Sequence, residues 1–127
     1  MAADVRRGSP TYGKWVAAEL TAENGHQLFV PVGFLHGYLT LEPDTEVEYK
    51  VSAGYSPECD GGLAWDDPSL NIAWPLDGGA PVLSDKDARL PPLQGFESPF
   101  EFEAESGTWP PMFAADHRPT ANGWPLS

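Results

Sequence analysis

Ten residues, "EVEYKVSAGY" from Glu46 to Tyr55, set the fold class. Val47, Tyr49 and Val51 fall on one face, and Glu46, Glu48 and Lys50 on the other. A period of two marks a half-buried β-strand, because successive side chains of an extended chain point to opposite sides. No segment shows a sustained apolar stripe at helical spacing. Glycine and proline agree with this reading. There are 13 and 14 of them in 127 residues, and both interrupt helices and punctuate short strands. "GHQLFVPVG" (Gly25 to Gly33) reads as a strand ended by proline and glycine, and "GFLHGYLTLEP" (Gly33 to Pro43) continues with strand-forming residues. "GKWVAAEL" (Gly13 to Leu20) fits strand or helix by periodicity, and "GGLAWDDPSLNIAWPL" (Gly61 to Leu76) sets two tryptophans among turn residues. The expectation is an all-β domain, a sandwich or barrel of short strands.

The length suits one domain. Composition shifts near Pro91: from there to Ser127 the chain holds seven prolines, and five acids stand against the single base Arg118. We expect a domain over 1–93 and an acidic, proline-rich, largely irregular tail over 94–127, in which "FESPFEFEAE" forms at most a brief strand.

Charge narrows the partners. Nineteen acids against seven bases leave a formal net charge of −12. Nucleic acid and anionic membrane surfaces both call for a basic face, so neither is an expected partner. A small anionic ligand stays open, since a few local cations suffice for a pocket. The single cysteine, Cys59, rules out a disulfide framework. No apolar run reaches the length of a membrane span, and "MAADVRRGSP" lacks the apolar stretch of a signal peptide, so the expected location is cytoplasmic.

His36, in "PVGFLHGYL", raises four readings: catalyst, metal ligand, substrate contact or polar core residue. Metal is disfavoured, because His26, His36 and His117 show no ligand spacing and no cysteine set assists them. Cys59 lies between Glu58 and Asp60, whose charges oppose thiolate formation. Tyr49 is either an inward-facing core residue or a phenol able to donate a proton to a developing carbanion. Tyr55, in a turn-rich stretch, could stack on a planar base. In "LSDKDARLPPL" (Leu83 to Leu93), Lys86 and Asp87 belong either to a solvated connection or to a site where Lys86 holds a phosphate and Asp87 orients a histidine.

Several stretches carry a family resemblance. "RGSPTYGKW", "PVGFLHG", "TEVEYKVSAGYSPE", "WDDPSLNIAWP" and "LSDKDARLPPL" occur in that order between Asp4 and Leu93. Together they resemble the dTDP-4-dehydrorhamnose 3,5-epimerases, cupin-fold sugar epimerases. The resemblance implies a jelly-roll barrel that forms a homodimer and uses neither metal nor organic cofactor. It also implies a dTDP-4-keto-6-deoxy-hexose substrate, epimerised at C3 and C5 beside the C4 keto group in dTDP-L-rhamnose biosynthesis. Position by position, it makes Tyr49 the proton donor and Tyr55 the ring that stacks on thymine. His36, Asp60 and Lys86 become substrate contacts, with Asp60 standing where glutamate is usual. Asp87 becomes the carboxylate paired with the catalytic histidine, and one extra residue in "LDGGAP" precedes this last pair.

The family's general base lies in an "RG-L-H" motif upstream of "RGSPTYG". Here "RGSPTYG" begins at Arg7, and the 127 residues hold no such motif. His26 matches a strand position, and His117 lies in the tail. The expectation is therefore an N-terminally incomplete barrel, a C-terminal portion with open sheet edges and little epimerase activity alone. The alternative is a non-catalytic remnant cupin that binds a nucleotide sugar or a partner subunit through Tyr55, His36 and Lys86. A metal-dependent cupin oxygenase is the third class. Elemental analysis of the purified protein is expected to find no metal at one equivalent per chain, and a stoichiometric transition metal would return that third class to first place.

Overall fold

The computed structural model describes residues 1–103. Three short strands form one antiparallel sheet: β1 (Ala2–Asp4), β2 (Trp15–Val16) and β3 (Phe34–His36), in the order β2-β1-β3. In register, Ala2 lies opposite Val16 and His36, Ala3 opposite Trp15 and Leu35, and Asp4 opposite Phe34. The central strand is buried throughout, which suits its two alanines, small enough to be covered on both faces. Two 3₁₀ turns, Pro57–Cys59 and Asp87–Arg89, complete the regular structure, and no α-helix occurs among the described residues. The chain is thus strand and irregular structure, as an all-β reading requires, but the sheet does not close on itself.

The core is small. Ala3, Val5, Leu63 and Leu70 form its buried centre, with Met1, Trp15, Leu35, Ile72, Leu93 and Phe96 packed against it. Leu63 and Leu70 reach it from the tryptophan-rich segment through a buried carboxylate. Asp67 accepts hydrogen bonds from the backbone N–H of Leu70 (2.9 Å) and of Leu93 (3.0 Å), 26 residues away. The Ala64 N–H donates to the Pro91 carbonyl (2.8 Å), and the Trp74 indole N–H to the Trp65 carbonyl (2.8 Å). These bonds satisfy polar groups that would cost about 1–3 kcal/mol each if buried bare.

Asp4 organises the opposite side. Its carboxylate accepts from the Arg6 backbone N–H (2.9 Å), Arg6 Nε (2.9 Å) and Nη2 (2.8 Å), Ser9 Oγ (2.5 Å) and Thr11 Oγ1 (2.6 Å). The "RGSPTYG" turn therefore folds back on the strand it follows, and the Gly13 N–H closes it on the Asp4 carbonyl (2.8 Å). The Arg6 guanidinium lies over the rings of Phe34 (4.8 Å) and Phe102 (4.9 Å), adding cation–π attraction. Gly33 is required here. Its φ is +87°, and any Cβ would collide with the Arg6 side chain.

Several expected strands are not realised. Glu46 to Tyr55 pairs with nothing among the described residues, and Val47, Tyr49 and Val51 are 42%, 53% and 76% exposed rather than inward-facing. Alternation gives a strand two faces, but a ladder partner and a layer beneath must supply the burial. Gly25 to Gly33 contributes only an isolated bridge at Leu28. "FESPFEFEAE" likewise contributes a single bridge, Glu101 with Arg7, held by Arg7 N–H to the Phe100 carbonyl (2.8 Å) and Phe102 N–H to the Arg7 carbonyl (2.9 Å). "GKWVAAEL" resolves as strand, at β2. Most of the tail, 104–127, lies outside the described residues.

Burial pushes the Asp4 carboxyl up, but the hydrogen bonds from Arg6, Ser9 and Thr11 together outweigh it and hold the group well below the usual carboxylate range. The unfolded chain takes up this proton first, near pH 4, so the stabilisation is complete above that value and is lost as pH falls through the folded-state value. Urea midpoints are expected to fall steeply below pH 4, with a much weaker acid limb in Asp4→Asn. Asp4→Ala, which strands the Arg6 charge, is expected to cost about 3 kcal/mol.

Candidate functional site

The residues singled out by the sequence gather into two groups of contrasting character. The first is aromatic. His36 ends β3, and its ring meets that of Tyr49 edge-on at 5.6 Å between centroids. Tyr38 lies 6.1 Å from His36 and 6.3 Å from Tyr49. Pairs at these distances attract through ring quadrupoles as well as through buried area. Tyr38 was not among the sequence candidates. The available signal was its spacing, because residues two apart on an extended segment share a face.

At His36 and Tyr49 the neutral forms are favoured. Burial, and then the positive charge of the Met1 ammonium, push the His36 imidazole below its usual value. Burial first, and then the neighbouring Tyr38 phenol, push the Tyr49 phenol up to about 12. Tyr49 therefore keeps its proton throughout the neutral range. A weak acid that stays loaded can deliver a proton to a strong base such as an enolate without ionising into bulk water.

The second group is charged. Asp60 follows the 3₁₀ turn Pro57–Cys59, and the Lys86 ammonium both pairs with its Oδ2 and donates a hydrogen bond to it. The Tyr55 hydroxyl donates to the same oxygen (3.1 Å). These hydrogen bonds, Lys86 first, hold the Asp60 carboxyl below its usual value, and the Asp60 contact raises Lys86 in turn. All three side chains are solvent-facing, and the Tyr55 ring is 77% exposed. The arrangement offers an open aromatic face beside an ammonium, suited to a planar base attached to a phosphate. Asp87 opens the 3₁₀ turn Asp87–Arg89 with its backbone N–H on Ser84 Oγ (3.1 Å), and its charge acts on the adjacent Lys86.

Cys59 is exposed and unpaired with another thiol. No set of three or more metal-ligating side chains converges among the described residues. No described helix is long and apolar enough to cross a membrane. A cavity of about 260 Å³ lies beside Trp65, Pro68, Ile72 and Trp74, in the segment that carries the Asp67 hydrogen bonds and outside both groups.

Residues 1–95 match the model of the family described as dTDP-4-dehydrorhamnose 3,5-epimerase. A protein of that name from Sinorhizobium fredii is 56% identical over 103 residues, covering 81% of this chain and 51% of the relative. Relatives of the same name from Shigella flexneri and Methanothermobacter thermautotrophicus are 47% identical over 87 residues and 42% over 95. They cover 68% and 74% of this chain, and 47% and 51% of their own lengths. The chain spans about half the length of these curated relatives.

The lowered His36 value has a measurable sign. Folding favours the neutral ring, so stability is full above the unfolded-state value near 6.5 and declines as pH falls through it toward the folded-state value. The imidazole Cε1–H resonance of His36 is expected to titrate with a midpoint below about 6.5, and a midpoint above that value would contradict the desolvated placement of the ring.

Proposed function

The chain belongs to the dTDP-4-dehydrorhamnose 3,5-epimerase family, and on that basis we propose that it supplies the proton-donating and substrate-holding part of an epimerase acting at C3 and C5 of dTDP-4-dehydro-6-deoxy-D-glucose. The observation that carries this reading is the company Tyr49 keeps: a protonated phenol beside the neutral imidazole of His36, with Tyr55, Asp60 and Lys86 forming a separate polar group.

The chemistry runs through an enolate. The C4 keto group acidifies the hydrogens at C3 and C5. A general base removes one of them, the carbanion delocalises onto the C4 oxygen, and Tyr49 returns a proton to the carbon from the opposite face. The resulting phenolate regains its proton from solvent before the second centre is inverted. His36 contacts the sugar, Tyr55 stacks on thymine, Lys86 meets the diphosphate, and Asp60 positions both. Asp87 serves as the carboxylate partner of the base, a pairing that fixes the imidazole tautomer. In this reading the base itself comes from residues outside these 127, as do the strands that complete a jelly-roll barrel and its homodimer. The setting is cytoplasmic, with no metal or organic cofactor.

Deuterium wash-in to the keto-sugar in heavy water tests the reading. The 127-residue chain alone is expected to label C3 and C5 slower by roughly 10²–10⁴-fold than a full-length relative, the contribution of a general base. Adding a separately made N-terminal half of such a relative is expected to restore exchange together with inversion at C3 and C5, and Tyr49→Phe to abolish the inversion. Rapid exchange by the chain alone, or no recovery on mixing, would overturn the division of labour.

A further inference from the structure

The triangle of His36, Tyr38 and Tyr49 contains one member with no assigned task. Tyr38 stands within 6.1 Å of His36 and 6.3 Å of Tyr49, so it contacts both rings that the proposed chemistry uses. Tyr49 needs outside support. Glu46 to Val51 pairs with no strand among the described residues, and the Tyr49 ring is more than half exposed. Backbone hydrogen bonds therefore do not set where its hydroxyl points, and the neighbouring rings must.

We propose that Tyr38 is a positioning residue for Tyr49, its ring bracing Tyr49 against His36 and its hydroxyl holding the Tyr49 phenol in one orientation. This rests on the reading of Tyr49 as proton donor and deepens it. His36 is anchored by its place in β3, opposite Ala2. Tyr38 follows it after a single glycine, so the anchored strand carries Tyr38 and Tyr38 carries Tyr49. The elevation of the Tyr49 phenol, to which Tyr38 contributes after burial, agrees with the 6.3 Å between the two rings. Packing alone is the competing account, and it predicts that the Tyr38 hydroxyl can be removed without consequence.

NMR of the 127-residue chain labelled at tyrosine Cζ separates the two, with Tyr49 assigned by its loss in Tyr49→Phe. At pH 7 the unaltered chain is expected to show ring-to-ring NOEs from Tyr49 to Tyr38 and to His36. Tyr38→Phe should keep both NOEs while bringing the Tyr49 titration midpoint from about 12 down toward the ordinary phenol value of about 10. Tyr38→Leu should also lose the Tyr49–His36 NOE. Absence of the NOEs in the unaltered chain, or an unmoved Tyr49 midpoint in Tyr38→Phe, overturns the proposal. Should alkali unfold the chain before the midpoint, the Tyr49 Cζ shift at pH 7 decides it: a shift moved in Tyr38→Phe supports the proposal, and an unmoved one overturns it. Failure of the functional reading registers elsewhere, as full inversion at C3 and C5 by Tyr49→Phe in the reconstituted assembly.

Discussion

One carboxylate holds the amino-terminal half of this structure together. Asp4 is buried, and a buried carboxylate is costly unless its lone pairs are filled and its charge is met. Arg6, Ser9 and Thr11 do both, all within seven residues of it. Arg6 spreads the effect, because the guanidinium that answers Asp4 also lies over Phe34 of β3 and over Phe102. A local ion pair thus joins the central strand, one edge strand and the far end of the described chain. With so few large apolar side chains buried, this polar knot takes over part of what a larger hydrophobic core would do.

The two residue groups follow different physics. The Tyr55–Asp60–Lys86 group sits in water, where an ion pair contributes little to stability and remains free to exchange partners. An arriving anion can compete for Lys86 without dismantling the fold. The aromatic group is held by ring packing instead of charge, and partial burial favours the neutral forms of His36 and Tyr49.

How much of this was legible in the sequence varied with the range of the interaction. The Asp4 knot involves neighbours in "DVRRGSPT", yet periodicity passes over it because it follows hydrogen-bonding capacity rather than hydropathy. β2 and β3 fell inside segments read as strand-competent. Glu46 to Tyr55 had the clearest alternation and formed no ladder, since alternation says which face a residue takes and not whether a partner is present. The meeting of Asp60 with Lys86, 26 residues apart, is a finding of the structure: the resemblance makes each a substrate contact without pairing them, and the residues alone leave Lys86 open between a solvated connection and a phosphate contact. Tyr38 was missed for a plainer reason: a tyrosine in an apolar run is an ordinary packing residue until its neighbours are known.

Asp67 has a consequence for how such chains vary. Its two oxygens fasten Leu70 and Leu93, so the polypeptide between them is pinned at both ends. Within that span, Leu76 to Gly79 makes a tight reversal, with Asp77 and Gly78 both in the left-handed region and the Gly79 N–H on the Leu76 carbonyl (2.9 Å). A residue gained or lost near this reversal changes the length of a loop whose ends cannot move. Loop closure costs grow slowly, by about 0.6 kcal/mol per doubling of length. A residue added there would be absorbed as a wider bend, leaving Lys86 beside Asp60.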